Sequence, residues 1–199
     1  MARLEFFFDC SSPWTYLAFT RIQDILVRTG AEMVWRPILV GGVFNAVNKD
    51  VYERRANPDP RKAAYSAKDL QDWARLAGIA IGKPPVFPVR AVEAMRCVLA
   101  ADEQGALVPF ARATFEAYWR DLKDISHRDV LSEICRSVGL DPDTIFARAD
   151  APDIKDRLRL NTEEVIARGG FGSPTMFVDG DDMYFGNDRL PLVEAALKR

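Results

Sequence analysis

The sequence predicts an α/β protein: a mixed sheet made from a βαβ unit at one end of the chain and a ββα unit at the other, with a large all-helical insertion between them. Three observations carry that prediction. Strand-like apolar runs occur only near the two ends, at Arg3 to Asp9 and Glu32 to Ile38, then at Thr175 to Val178 and Met183 to Phe185. Each end adds one amphipathic helix to its strands. The long middle shows helical periodicity punctuated by glycine and proline.

Each element has its own local reason. The first strand, Arg3 to Asp9, is aromatic and apolar, and Ser11-Ser12-Pro13 interrupts it. Ser12 before Pro13 reads as an N-cap followed by proline at the first helical position. The helix that follows gathers Tyr16, Leu17, Phe19, Ile22, Ile25 and Leu26 on roughly one face, and Gly30 ends it. Glu32 to Ile38 is the second strand, with Pro37 near its end or at an edge. Gly41-Gly42 then opens a polar stretch, read as irregular, that contains Asn57, Pro58 and Pro60. Helical patterns cover Ala63 to Leu76, Val89 to Glu103, Leu107 to Arg120 and Ser126 to Ser137, the last capped by Ser126 and ended by Gly139. Pro84, Pro85 and Pro88 mark a loop. A short helix starts at Asp141-Pro142, and a longer one runs from Pro152 to Arg168. Asp179-Gly180-Asp181-Asp182 supplies a hairpin turn between the last two strands, and Asp188 caps the final helix. Neither half closes a core alone. Together they make the thioredoxin plan with an insertion: residues 1–40 and 171–199 form the discontinuous sheet domain, 41–151 the helical domain, and helix 152–168 leads back. A ligand would sit in the cleft between block and sheet.

Composition limits the function classes. Of 199 residues, 48% are hydrophobic and 28% charged, so a packed core is expected. A formal net charge of −2 argues against a nucleic-acid or anionic-membrane binder. The first apolar run is too short for a signal peptide or a membrane span, which predicts a cytoplasmic protein. Cys10, Cys97 and Cys135 are widely spaced and odd in number, fitting reduced thiols rather than a disulfide framework. His127 is the sole histidine and no cysteines cluster, so no metal site is expected.

Three constellations carry candidate chemistry. In Asp9-Cys10-Ser11-Ser12-Pro13-Trp14-Thr15-Tyr16, Ser12 lies where helix N–H groups are unpaired and the dipole is positive. The plain reading is a cap; the chemical reading is an anion site, for a thiolate among others. Phe171-Gly172-Ser173-Pro174-Thr175-Met176-Phe177 puts an X-Pro bond at a strand entrance, an ordinary trans residue or, in a thioredoxin-like sheet, the cis-proline. Phe185-Gly186-Asn187-Asp188 reads either as another cap or as an anchor for the amino and carboxylate ends of a small peptide.

From Phe6 through Ala18, and again from Gly172 through Leu190, the chain resembles the 2-hydroxychromene-2-carboxylate isomerases, relatives of kappa-class glutathione transferases and DsbA oxidoreductases. Ser12-Pro13-Trp14-Thr15-Tyr16-Leu17, Gly172-Ser173-Pro174-Thr175-Met176-Phe177 and Phe185-Gly186-Asn187-Asp188-Arg189-Leu190 are similar to the family's motifs. Trp35-Arg36-Pro37 and the Lys62, Tyr65, Asp69-Leu70 spacing are similar too. The resemblance implies a DsbA/kappa-class type of fold, glutathione as cofactor and a homodimer. It implies Ser12 as the catalytic serine and Ser173, beside Pro174, as the residue whose backbone pairs with the cysteinyl group. Asn187 and Asp188 would anchor the γ-glutamyl end, flanked by Phe185 and Gly186. Two positions depart. Family members acting on the chromene acid use a lysine after the second strand, where this chain has Phe44 nearby. The position before the cis-proline is usually aliphatic and here is Ser173.

Chemistry sorts the mechanisms. Disulfide exchange needs an attacking cysteine, and Ser12 and Thr15 stand in those places. Cys10 belongs to the strand end, turned inward. Ser12 as a direct nucleophile needs a base, and His127 falls deep in the helical block as a structural or surface residue. Ser12 as a donor to a glutathione thiolate suffices. Moving a thiol pKa from about 8.5 to near 6.5 takes roughly 2.7 kcal/mol. A hydrogen bond to a charged group supplies about 1.5–3 kcal/mol and the helix dipole about 0.3–1. The expected activity is isomerisation of an unsaturated aromatic carboxylic acid by reversible thiolate addition. The alternatives are a kappa-like transferase that leaves a stable conjugate, and a non-catalytic glutathione- or peptide-binding module. Phe44, Asn57 and Arg90 are candidate substrate residues, while Arg96 and Lys62 read more simply as solvated charge and Trp14 as either cavity wall or packing.

Overall fold

The computed structural model describes residues 2–199. β1 (Arg3–Phe8) is the inner strand on which the rest is laid, buried at every position but its first. β2 (Glu32–Pro37) runs parallel to it; β3 (Thr175–Val178) runs antiparallel on its other side and β4 (Asp182–Phe185) antiparallel to β3, giving the order β2-β1-β3-β4. Strand pleat alternates the β1 side chains between two cores. Phe6 and Phe8 enter a large cluster with Phe19, Trp35 and Phe115, whose rings pack at centroid distances of 5.1–6.5 Å. Phe7 faces the opposite way, into a smaller cluster with Phe177, Ile38, Val43 and Val165. Burying each such ring contributes about 1.5–3 kcal/mol, so two faces of one strand tie both helical layers to the sheet.

α1 (Pro13–Thr29) links β1 to β2. Ser12 caps its start by accepting the Thr15 N–H, and Gly30 ends it at φ +65°, a conformation that costs glycine least. The insertion comprises α2 (Val40–Val47), α3 (Asp50–Ala56), α4 (Pro60–Leu76), α5 (Val92–Asp102), α6 (Leu107–Phe115), α7 (Arg128–Ser137) and α8 (Pro142–Ala149), and α9 (Pro152–Ala167) returns to the sheet. α10 (Leu190–Leu197) closes the chain against α1. Arg168, just past α9, pins this helix end to the sheet: it bonds Glu5 at 2.8 Å and lies 3.7 Å over the Phe177 ring. Burial alone would raise the Glu5 pKa, but hydrogen bonds from Arg168 and Arg36 outweigh it and hold the carboxyl below its usual value. Among the described residues no helix is long and apolar enough to cross a membrane.

Four local expectations are corrected. The stretch after Gly41-Gly42 is not irregular but forms α2 and α3. Val40 and Val43, three apart, bury one face of α2, and a Cβ on Gly42 would stand 3.2 Å from Thr162 Cγ2. The glycine there marks close helix–helix approach, not a break. The Leu107 helix changes to a π-helical turn over Glu116–Arg120. Ser126 does not cap α7; it donates to Asp124 at 2.6 Å, and His127, far from deep, is 71% exposed at the cap position. Asp188 does not cap α10 either. A 3-10 turn, Asn187–Arg189, comes first, and Arg189 takes the cap position.

Candidate functional site

The site forms where β1 ends, α1 begins and the chain re-enters the sheet before β3. Asp9 organises the corner. Its carboxylate accepts the Ser11 and Val40 N–H groups, each at 2.8 Å, and its own N–H donates to Ser173 Oγ at 3.1 Å. Burial pushes the Asp9 pKa up, and the bonds from Ser11 and Val40 oppose it. Thr15 Oγ1 and Ser173 Oγ share a buried hydrogen bond of 2.8 Å. The departure at Ser173 therefore has a use, since its hydroxyl stitches β1, α1 and the proline loop together.

Ser12 sits at the centre of this frame, half-buried. Its hydroxyl accepts the Thr15 N–H at 3.3 Å and donates to the Ser173 carbonyl at 3.3 Å. The Ser173–Pro174 bond is cis, and the Gly186 N–H donates to the Pro174 carbonyl at 3.1 Å, which holds the β4 end against the loop. Two of the open backbone donors flank Ser12. Neither the Ser173 N–H nor the Trp14 N–H at the head of α1 meets an acceptor among the described residues.

Cys10 is sealed. It is fully buried, its N–H faces Met95 Sδ at 3.3 Å, and its carbonyl accepts the Trp119 indole N–H at 3.0 Å. Burial, then the adjacent Asp9 charge, pushes its thiol pKa well above the normal range. Such a thiol is no nucleophile at neutral pH.

A cavity of about 760 Å³ opens over Ser12, within the span of small-molecule sites. Ser12, Ser173, Phe44, Phe185, Arg90 and Trp14 all line it. Pro174, Gly186, Asn187 and Asp188 do not line it, although their chain neighbours Ser173 and Phe185 do. Asn187 is buried, and Arg21 of α1 donates to its carboxamide oxygen at 3.2 Å; Asp188 is exposed and pairs with Arg189 at 3.1 Å. Asn57 is exposed at the C-terminal cap of α3 and does not line the cavity. Lys62 lies exposed on α4, and Arg96 lines a separate cavity of about 470 Å³ beside α9.

The far wall holds residues that sequence reasoning missed. Tyr52, Arg54 and Arg55 of α3, together with Phe87, line the same cavity. Reading 41–57 as irregular hid them; the Val40/Val43 spacing was the available signal.

A family model described as a DSBA-like thioredoxin domain matches residues 3–198. A 2-hydroxychromene-2-carboxylate isomerase of Sphingobium xenophagum is 29% identical over 201 residues, spanning 98% of this chain and 97% of that protein. Glutathione S-transferase kappa 2 of Caenorhabditis elegans is also 29% identical, covering 96% of this chain and 89% of the relative. The solved structure of a 2-hydroxychromene-2-carboxylate isomerase superposes with a TM-score of 0.83 at 26% identity, over 98% of this chain and 94% of the other.

Proposed function

This chain belongs to the DSBA-like thioredoxin family, and on that premise we propose that it is a glutathione-dependent isomerase of an unsaturated aromatic carboxylic acid, similar in activity to 2-hydroxychromene-2-carboxylate isomerase. One observation carries the reading: the Ser12 hydroxyl, at a helix N-terminus on a cavity wall, lies within 3.3 Å of the Ser173 backbone beside a cis-proline. The full-length similarity to isomerases and kappa-class transferases supports it.

The residues present fit glutathione. The open Ser173 N–H would be met by a peptide carbonyl, and the open Trp14 N–H by a thiolate. The Asn187 carboxamide and the Asp188 carboxylate would receive the γ-glutamyl end, with Phe185 and Gly186 beside them. When bound, the tripeptide supplies a thiolate that adds reversibly to an electron-poor C=C bond, allowing rotation before it leaves. The sheet unit, 1–40 with 171–199, furnishes these contacts, and the 41–151 insertion furnishes the opposite wall.

The chain's own part centres on one proton. Ser12 Oγ–H now points at the Ser173 carbonyl; rotation about Cβ–Oγ turns it into the cavity without moving the backbone. There it donates to the sulfur anion, contributing about 1.5–3 kcal/mol, and the helix end adds about 0.3–1. No cation is required for the roughly 2.7 kcal/mol that two pKa units represent. Disulfide exchange is left without an attacking group, since Cys10 is closed off.

The test uses purified protein, glutathione and a panel of unsaturated aromatic acids, following geometric isomerisation by absorbance and total free thiol by titration. Isomer accumulates while thiol is conserved. Ser12→Ala lowers turnover roughly 10- to 150-fold, the kinetic equivalent of about 1.5–3 kcal/mol, and leaves glutathione affinity within about twofold. Unchanged turnover at saturation overturns the role of Ser12. Similarity to the kappa-class transferase favours a second reading, stable conjugation, which the same titration detects as thiol lost mole for mole.

A further inference from the structure

The cavity's charges are lopsided. Asp9 and three arginines, Arg54, Arg55 and Arg90, line it. The Asp9 oxygens are already turned onto the Ser11 and Val40 N–H groups. None of the three arginines has a carboxylate partner among the described residues, whereas Arg28, Arg36, Arg120, Arg128, Arg148 and Arg168 are each paired with one. Arg54 does no more than reach the Asn48 carboxamide oxygen at 3.4 Å.

Arg55 is the most constrained of the three. Its guanidinium carbon lies 5.4 Å from the Phe44 ring centre and 5.2 Å from that of Phe87, although the side chain stays open to solvent. Contacts with ring faces position a guanidinium and leave its planar set of five N–H donors free. None of those donors meets an acceptor among the described residues. Loss of water beside the rings lowers the Arg55 pKa; only Tyr52 opposes it, and no carboxylate does. A cation held in place, partly dried and unneutralised favours an anion.

We propose that Arg55 is the carboxylate receptor of this cavity and that Phe44 and Phe87 select a flat aromatic acid, its carboxylate on the guanidinium fork and its ring against theirs. The assignment deepens the isomerase reading and rests on it for the identity of the reacting compound, but binding of the acid can be measured without turnover. Arg55 stands on the wall built by α2, α3 and the 87–92 segment, not on the proline-loop wall given to the tripeptide. Where this chain has Phe44 near the loop after β2, the cation thus comes one helix later, from α3.

The experiment titrates wild type, Arg55→Gln and Arg55→Lys with trans-cinnamate, with cinnamamide and with glutathione, each alone, by calorimetry. Wild type binds the acid in preference to the amide. Arg55→Gln weakens cinnamate about tenfold or more, leaves cinnamamide and glutathione unchanged, and Arg55→Lys recovers part of the loss. Three results overturn the proposal: cinnamate affinity unaltered in Arg55→Gln, acid and amide weakened alike, or glutathione weakened instead, which would give Arg55 to the tripeptide's carboxylate. If wild type shows no preference for the acid, the carboxylate receptor falls while Ser12 stands. If the acid binds as described but no isomer forms with glutathione, the isomerase reading falls and the receptor stands.

Discussion

The two walls of the cavity are built by different rules. On the sheet side, Asp9, Cys10, Thr15, Ser173 and Pro174 are buried, and apart from the open Ser173 N–H their site-forming polar atoms are held by directed bonds, to one another or to Ser11, Ser12, Val40, Gly186 and Trp119. On the helical side, Tyr52, Phe87 and Arg55 are exposed; the Tyr52 hydroxyl donates to Asn45 Oδ1 at 2.8 Å, but the Phe44 and Phe87 rings and the Arg55 guanidinium meet one another without hydrogen bonds. Hydrogen bonds with fixed direction hold a hydroxyl to a fraction of an ångström, which donating to a sulfur anion from Ser12 demands. Ring contacts have no such direction and tolerate ligands of different shape. The contrast separates two tasks, with reactivity on the rigid wall and choice of partner on the adaptable one.

The sharpest way to break that separation is to loosen the rigid wall from behind. The Trp119 indole N–H is the donor to the buried Cys10 carbonyl, two residues before Ser12. Trp119→Phe keeps most of the apolar volume and removes that donor, leaving a buried carbonyl unsatisfied at a cost of about 1–3 kcal/mol. Denaturant unfolding reports the loss. Because α1 starts from this turn, turnover falls along with stability; aromatic-acid affinity falls less, since the substitution keeps a ring for Phe87 to pack on, now 6.0 Å from the Trp119 ring. Equal losses on both walls would mean that they form one unit.

The rigid wall was the more legible of the two in sequence, for the same physical reason. Ser12-Pro13, the Ser173-Pro174 entrance and the Gly186 turn are punctuation that the backbone itself requires, so they can be read locally. The adaptable wall depends on tertiary packing. That the chain after Gly41-Gly42 is helical from its first turn goes with how α2 seats against α9, with Leu39 N–H donating to Thr162 Oγ1 at 3.0 Å and Gly42 close to the same residue. Those partners lie more than a hundred positions apart, beyond any periodicity count. For the same reason Asn57 was expected at the cleft and Arg55 was not.

A smaller perturbation tests the seam where the walls meet. A Cβ on Gly172 would stand 2.8 Å from Phe185 Cε2 and 3.1 Å from its Cζ, and the Phe171 and Phe185 rings already lie 4.4 Å apart. In Gly172→Ala the Phe185 ring must turn away, toward the place assigned to the tripeptide. Glutathione affinity drops about tenfold, near 1.4 kcal/mol, within the usual range for overpacking. Cinnamate affinity measured alone stays within about twofold, since the same Cβ would meet Phe44 Cε1 only at 3.7 Å, an ordinary van der Waals contact. Calorimetry on the two ligands separates these outcomes, and a larger effect on the acid would move the seam.

The smallest effect belongs to Asp188, and its size follows from its setting. The carboxylate is exposed and already beside Arg189, so an ammonium arriving there joins a solvated pair and displaces little water. Exposed ion pairs are worth about 0.2–1 kcal/mol, so Asp188→Ala weakens glutathione roughly two- to fivefold at low salt. Raising the salt to about 0.5 M shrinks that difference further, as screening does for surface charges. Asn187 differs in kind, being buried and bonded to Arg21, so its removal disturbs α1 as well as the ligand. A salt-insensitive loss far beyond fivefold in Asp188→Ala would show that ligand binding buries the carboxylate, and would extend the rigid wall to the end of β4.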